Sequence, residues 1–66
     1  MSEKVLILLS TYNGEKYLEE QLNTILNQTT EEISVSIIIR DDGSSDNTIK
    51  IINKYINDYD CIKLIK

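Results

Sequence analysis

The chain contains no proline, phenylalanine or tryptophan, and its only cysteine is Cys61. Without proline, and with isoleucine and leucine as the main apolar residues, it favours regular buried strands and helices over a loop-rich fold. A lone cysteine excludes an internal disulfide and is too isolated to anchor a metal site, which points to a reducing compartment. Beside the apolar run that follows it, Cys61 reads as a packed core thiol. There is no Lys/Arg cluster: eleven acids stand against seven bases, for a formal net charge of −4. That balance argues against a nucleic-acid surface, which needs cations to neutralise phosphates. The apolar stretch after Met1-Ser2-Glu3-Lys4 is five residues long, far short of the ~20 that span a bilayer, and no signal-peptide cleavage region accompanies it. A cytoplasmic location is expected. No internal repeat of fixed period is present. Sixty-six residues make at most one domain, and folding at this size buries only roughly 60% of the surface that the unfolded chain exposes, so stability should be marginal.

What is present is a repeated arrangement of strand, polar turn and helix. Val5 to Leu9 is apolar on both faces, as an internal parallel strand should be, and it runs into Ser10-Thr11-Tyr12-Asn13-Gly14. From Glu15 to about Asn27, Leu18, Leu22, Ile25 and Leu26 fall on one side of a helix. Asn13 is its expected N-cap, with Tyr12 and Tyr17 at staple positions. Gln28 to Glu32 is a polar connection, and a second strand follows over about Ile33 to Arg40. Gly43 permits the next tight turn, and Ser45 is the expected cap of a second helix with Asp46 as a favourable acid in its first turn. Ile49, Ile52, Tyr55, Ile56 and Tyr59 mark the buried face of that helix, and a third strand spans about Cys61 to Ile65.

The reading is α/β, with order β-α-β-α-β, parallel strands and right-handed crossovers. If the crossovers carry the sheet steadily outward in the order 3-2-1, both helices lie on one face and the other face of three apolar strands has no cover. The first strand is then an open edge, although its sequence suits a central position. A larger α/β domain, or self-association of the isolated chain, is therefore expected. The carboxyl ends of parallel strands line one edge of the sheet, so both polar turns should converge there on one ligand, an arrangement that suits a nucleotide.

Leu9-Ser10-Thr11-Tyr12-Asn13-Gly14 with Tyr17-Leu18, then Gln28-Thr29, then Asp41-Asp42-Gly43-Ser44-Ser45-Asp46-Asn47-Thr48 resembles the N-terminal donor-nucleotide region of family 2 glycosyltransferases. The likeness covers essentially the whole chain and rests on two motifs in the same order and spacing. It implies a three-layer, Rossmann-like GT-A fold of which residues 1–66 are an incomplete, N-terminal part. Arg40-Asp41-Asp42 and the Thr-Tyr-Asn-Gly-Glu wording most resemble bacterial rhamnosyltransferase-type enzymes of surface polysaccharides.

The resemblance implies nucleotide-binding roles for Ser10, Thr11, Tyr12, Asp41 and Asp42. Tyr12 offers a flat face for a pyrimidine, against the alternative of a hydrophobic staple with Tyr17. Ser10 and Thr11 would present backbone and hydroxyl groups to the base edge, against ordinary turn chemistry. Asp42 would accept the pyrimidine N3–H in a charge-assisted hydrogen bond, and Asp41 would hold the turn or the ribose. Asp46 and Ser45 read as a solvated turn and helix cap, and Arg40 as a solvated edge charge.

In the family, a metal-binding Asp-X-Asp motif and a later acidic base follow this segment. Here no Asp or Glu lies beyond Asp60, and Asp58-Tyr59-Asp60 falls at a helix end, where two carboxylates alone make a poor Mg²⁺ or Mn²⁺ site. The resemblance thus implies an inverting transferase that uses a UDP- or dTDP-sugar, a glycan or lipid-linked acceptor, and Mg²⁺ or Mn²⁺ in the parent enzyme, at the cytoplasmic side of the membrane. This segment would supply no catalytic residue, bind no metal and be inactive alone. A non-catalytic interaction module or receiver-like signalling module is the alternative, but a receiver's acidic pair follows the first strand, not the second. A dinucleotide-binding turn fails for want of Gly-x-Gly-x-x-Gly, and a P-loop for want of Gly-Lys-Ser/Thr.

Overall fold

The computed structural model describes residues 3–65, so Met1, Ser2 and Lys66 lie outside the described residues. Five elements follow in order: β1 (Glu3–Thr11), α1 (Leu18–Leu26), β2 (Ile33–Asp41), α2 (Thr48–Asp58) and β3 (Ile62–Ile65). The strands form one parallel sheet in the order β1-β2-β3. Viewed from its other edge this is the expected 3-2-1.

Strand periodicity decides which side is covered. Val35, Ile37 and Ile39 of β2 are buried, and Ile7, Leu9, Ile62 and Leu64 share their face through the pairs Ile7↔Ile37, Leu9↔Ile39, Ile37↔Ile62 and Ile39↔Leu64. Leu18 and Leu22 of α1 and Ile52 and Tyr55 of α2 close the core over that face. The helices also meet directly: the Tyr55 hydroxyl donates to Asn23 Oδ1 at 2.8 Å. Burial of the ring, with the Glu19 carboxylate nearby, raises the Tyr55 pKa above its ordinary value. Cys61 is half-buried and packs against this core.

The opposite face is open. Leu6, Leu8 and Ile65 are 59%, 73% and 52% exposed, and β1, whose composition suits the middle of a sheet, lies at its edge. The uncovered side therefore follows from the crossovers as the sequence implied: two helices in succession pack on one face and none reaches the other.

Two helix starts differ from expectation. Helix α1 begins at Leu18 rather than Glu15, after a turn in which Gly14 O accepts from the N–H groups of Tyr17 and Leu18. Asn13 does not cap it: this residue sits at φ +48°, and its Oδ1 accepts from Ser45 N at 2.8 Å. Ser45 in turn does not cap α2, which begins at Thr48. In both places the expected cap is engaged across the sheet edge, since Asn13 Oδ1 and Ser45 N bond to each other and not to the helix that each was expected to start.

Candidate functional site

The β1–β2 ladder ends at the pair Thr11↔Asp41, and one further bond, Asp42 N to Thr11 O at 2.9 Å, holds the chains together past it. Tyr12 and Asp42 are thus the residues that leave the sheet side by side. The first turn runs over residues 12–17 and the second over residues 42–47.

Asp41 organises the second turn. Its Oδ1 accepts from the Thr11 hydroxyl at 2.8 Å and the Ser44 hydroxyl at 2.6 Å, while its Oδ2 accepts from Ser44 N at 2.8 Å and Gly43 N at 3.1 Å. Gly43 adopts φ +93°, a conformation that side-chain-bearing residues rarely take, to bring its amide round to the carboxylate. Partial burial pushes the Asp41 pKa up, but the hydrogen bonds from Ser44, Thr11 and Gly43 together outweigh it and the pKa falls below the ordinary value. A carboxylate has about four acceptor positions. All four are engaged within the protein, and three of those bonds shape the turn of Gly43 and Ser44.

Asp46 has a larger part than the helix cap read from the sequence. Its Oδ1 accepts from Thr48 N at 3.0 Å and from the Thr48 hydroxyl, and its Oδ2 accepts from Glu15 N in the first turn at 3.3 Å. The Thr48 hydroxyl bond is the main cause of a lowered Asp46 pKa.

Three consecutive amides of the first turn donate across to side chains of the second: Asn13 N to Ser44 Oγ at 2.8 Å, Gly14 N to Thr48 Oγ1 at 2.9 Å, and Glu15 N to Asp46 Oδ2. Successive amides at a strand-to-helix turn are the groups that cradle phosphate in P-loop and dinucleotide-binding folds. Here they are occupied by the protein itself. Asn47 Nδ2 to Glu15 Oε2, at 3.1 Å, adds a further link, and among the described residues no buried side-chain polar atom lacks a partner.

What the network leaves free is as informative as what it ties. Tyr12 and Tyr17 are 66% and 65% exposed instead of packing as a staple, and both line a cleft of about 140 Å³ with Ser10, Thr11, Gly14, Leu18 and Gln21. Asp42 lies outside the network of the turns, its exposed carboxylate 3.5 Å from an exposed Arg40 guanidinium, a contact of little energetic weight. Ser10, paired with Arg40, is exposed on the uncovered side of the sheet, whereas Thr11 is buried with its hydroxyl committed to Asp41. Of the five residues singled out, Ser10, Tyr12 and Asp42 keep exposed side chains outside this network, whereas the Thr11 and Asp41 side chains are bonded to each other within it. Ser44 and Thr48, not singled out, are integral to the same edge. Their signal in the sequence is only a polar run, which reads equally as a solvated turn.

The side chains of the described residues do not fit a divalent cation. Among the described residues no three His, Cys, Asp or Glu side chains gather as ligands, Asp58 and Asp60 are exposed around the end of α2, and the carboxylates of Asp41 and Asp46 are already hydrogen-bonded. No helix among the described residues is long and apolar enough to cross a membrane.

Residues 6–66 match the model of glycosyl transferase family 2. The dTDP-rhamnosyl transferase RfbG of Shigella flexneri is 43% identical over 54 residues, covering 82% of this chain and 18% of that protein. The abequosyltransferase RfbV of Salmonella typhimurium is 41% identical, over 77% of this chain and 15% of its own length. The poly(ribitol-phosphate) β-N-acetylglucosaminyltransferase TarS of Staphylococcus aureus is 37% identical over 82% of this chain and 9% of its own. The chain thus spans less than a fifth of the length of these relatives. With parallel strands ending in the two motifs and a match that runs from the first strand to the last residue, the chain belongs to glycosyl transferase family 2.

Proposed function

We propose that this chain is the donor-nucleotide platform of a longer, inverting glycosyltransferase. That enzyme moves a sugar from a UDP- or dTDP-linked donor to a glycan or lipid-linked acceptor in surface-polysaccharide synthesis, on the cytoplasmic side of the membrane. The observation that carries the reading is that Tyr12 and Asp42 are the residues directly after the last ladder pair, Thr11↔Asp41, one with an exposed ring and the other with an exposed carboxylate. A pyrimidine needs a flat surface to stack on and an acceptor for its N3–H, and these two side chains are of the matching kinds. Occupation of the first-turn amides by Ser44, Thr48 and Asp46 supports the same assignment, because this turn then receives a base rather than a diphosphate. The relatives support the class of reaction, since each is named as a transferase of a sugar and one as acting with a dTDP-linked donor.

In this proposal the reaction is a single displacement. An acceptor hydroxyl, deprotonated by a carboxylate outside these residues, attacks the anomeric carbon as the nucleoside diphosphate leaves. Mg²⁺ or Mn²⁺ in the parent enzyme takes its ligands from outside this chain. The 66 residues by themselves hold base and ribose weakly and transfer no sugar. The test is calorimetric titration of the full-length enzyme: Tyr12→Ala and Asp42→Asn should each weaken UDP or dTDP binding by about 1–3 kcal/mol. Unchanged affinity in both variants contradicts the pocket, and sugar transfer by the purified 66-residue chain contradicts the placement of catalysis elsewhere.

A further inference from the structure

Two hydroxyls at the sheet edge play the same part. Ser44 Oγ accepts from Asn13 N at 2.8 Å and donates to Asp41 Oδ1 at 2.6 Å. Thr48 Oγ1 accepts from Gly14 N at 2.9 Å and donates to Asp46 Oδ1. Each is a relay from a first-turn amide, through a hydroxyl, to a second-turn carboxylate, and in each the hydroxyl has its donor and one acceptor engaged. Polarisation by the carboxylate strengthens the hydroxyl as an acceptor, so the two bonds of a relay reinforce one another. Thr48 is fully buried, and no water can replace its oxygen without a rearrangement.

The two amides so held belong to the residues directly after Tyr12. Asn13, at φ +48°, sits in the left-handed region that asparagine tolerates better than most residues, and its amide and its side chain are both bonded to the second turn. Ser44 and Thr48 each spend their hydroxyl donor on a carboxylate and so have none for a ligand, but together they fix the backbone from which the Tyr12 ring projects. We infer that Ser44 and Thr48 are positioning residues for nucleobase recognition, acting through the Asn13 and Gly14 amides to hold Tyr12 beside Asp42; this rests on the donor-site reading above. Recognition by the two turns is therefore coupled: the second turn sets the pose of the aromatic ring that the first turn carries.

The test is a titration of the ¹⁵N-labelled 66-residue chain with UDP, followed by amide chemical shifts, with thermal melts confirming that each variant is folded at the titration temperature. Thr48→Val, nearly isosteric, removes one relay and should weaken UDP by about tenfold, with faster solvent exchange of the Gly14 amide. Thr48→Ser keeps the hydroxyl and should return affinity to within about twofold of the parent chain, whereas Ser44→Ala should cost about threefold. If the buried methyl and not the hydroxyl set the pose, Thr48→Ser would weaken UDP while Thr48→Val, which keeps that methyl, would not, and that result overturns the inference. Wild-type affinity in Thr48→Val, where Tyr12→Ala loses binding, overturns it and leaves the donor site standing. If Tyr12→Ala binds like the parent chain, or the parent chain does not bind UDP, the donor-site reading falls and the positioning role falls with it. Should Thr48→Val not fold, Ser44→Ala on the half-buried turn decides: undiminished affinity there overturns the inference.

Discussion

The turns that follow β1 and β2 meet at one edge, yet they contribute opposite things. The first gives up its backbone: the amides of Asn13, Gly14 and Glu15 are all bound by the second turn, and its aromatic side chains stay in solvent. The second gives up its side chains, since Asp41, Ser44, Asp46 and Thr48 all bond within the edge. Next to the last ladder pair, the side chains of Tyr12 from the first and Asp42 from the second remain outside this network. The lesson is that an acidic, hydroxyl-rich motif is not read as a set of equivalent ligands. Adjacent carboxylates here do different work, Asp41 as an internal brace and Asp42 as a free acceptor.

The largest effect that should sharpen this contrast is on stability. Asp41→Ala removes the acceptor for four hydrogen bonds and should cost about 2–3 kcal/mol in urea denaturation followed by circular dichroism, a large share of the stability of so short a domain. Asp42→Ala should shift stability by no more than about 0.5 kcal/mol. Equal losses at the two positions would remove the distinction between brace and acceptor.

The same contrast has a pH dependence. The folded-state pKa values of Asp41 and Asp46 lie below the ordinary aspartate value. Such groups contribute stability that is present above the unfolded value and is lost as pH falls through the lower, folded one. Acid titration of stability should therefore show a fall beginning near 3.8 and continuing below it, and the fall should be shallower in Asp41→Asn. An acid profile unchanged by that substitution would assign the loss to other carboxylates.

Much of this was legible in the sequence, and the part that was not has one cause. Continuous apolar and β-branched runs gave the strands, the spacing of Leu18, Leu22, Ile52 and Tyr55 gave the buried helix faces, and the succession of crossovers gave the open side of the sheet. The neighbouring positions of Tyr12 and Asp42 followed from parallel strands that end together. The roles of Asn13, Ser45 and Asp46 did not follow, because Asn, Ser and Asp bond equally well to their own helix start or to a chain far away. In this structure the partners of Asn13 Oδ1 and Asp46 Oδ2 lie 32 and 31 residues away. Local sequence carries no mark of such a choice. It also explains the late start of α1, whose first expected residue, Glu15, has its amide held by Asp46.

A smaller effect concerns the open face, which a longer parent protein would cover. The isolated chain should associate through it, since contiguous exposed apolar area of this kind marks interfaces. Sedimentation equilibrium should give a mass above that of the monomer, and Leu8→Lys, at the most exposed of the large apolar residues, should shift the equilibrium toward monomer. A strictly monomeric, well-folded parent chain would contradict the expectation. Smallest of all, Arg40→Ala should change stability by no more than about 0.5 kcal/mol, because its contact with Asp42 is solvent-exposed; a larger loss would place Asp42 among the braces.

The central claim is that Asp42 reads the N3–H of a pyrimidine stacked on Tyr12, and the most direct measurement compares UDP with its N3-methyl analogue, which lacks that donor. The chain as it stands should prefer UDP by about tenfold, the size of one charge-assisted hydrogen bond left unmade, and Asp42→Ala should bind the two equally. Equal affinity of the unaltered chain for both compounds would contradict the account.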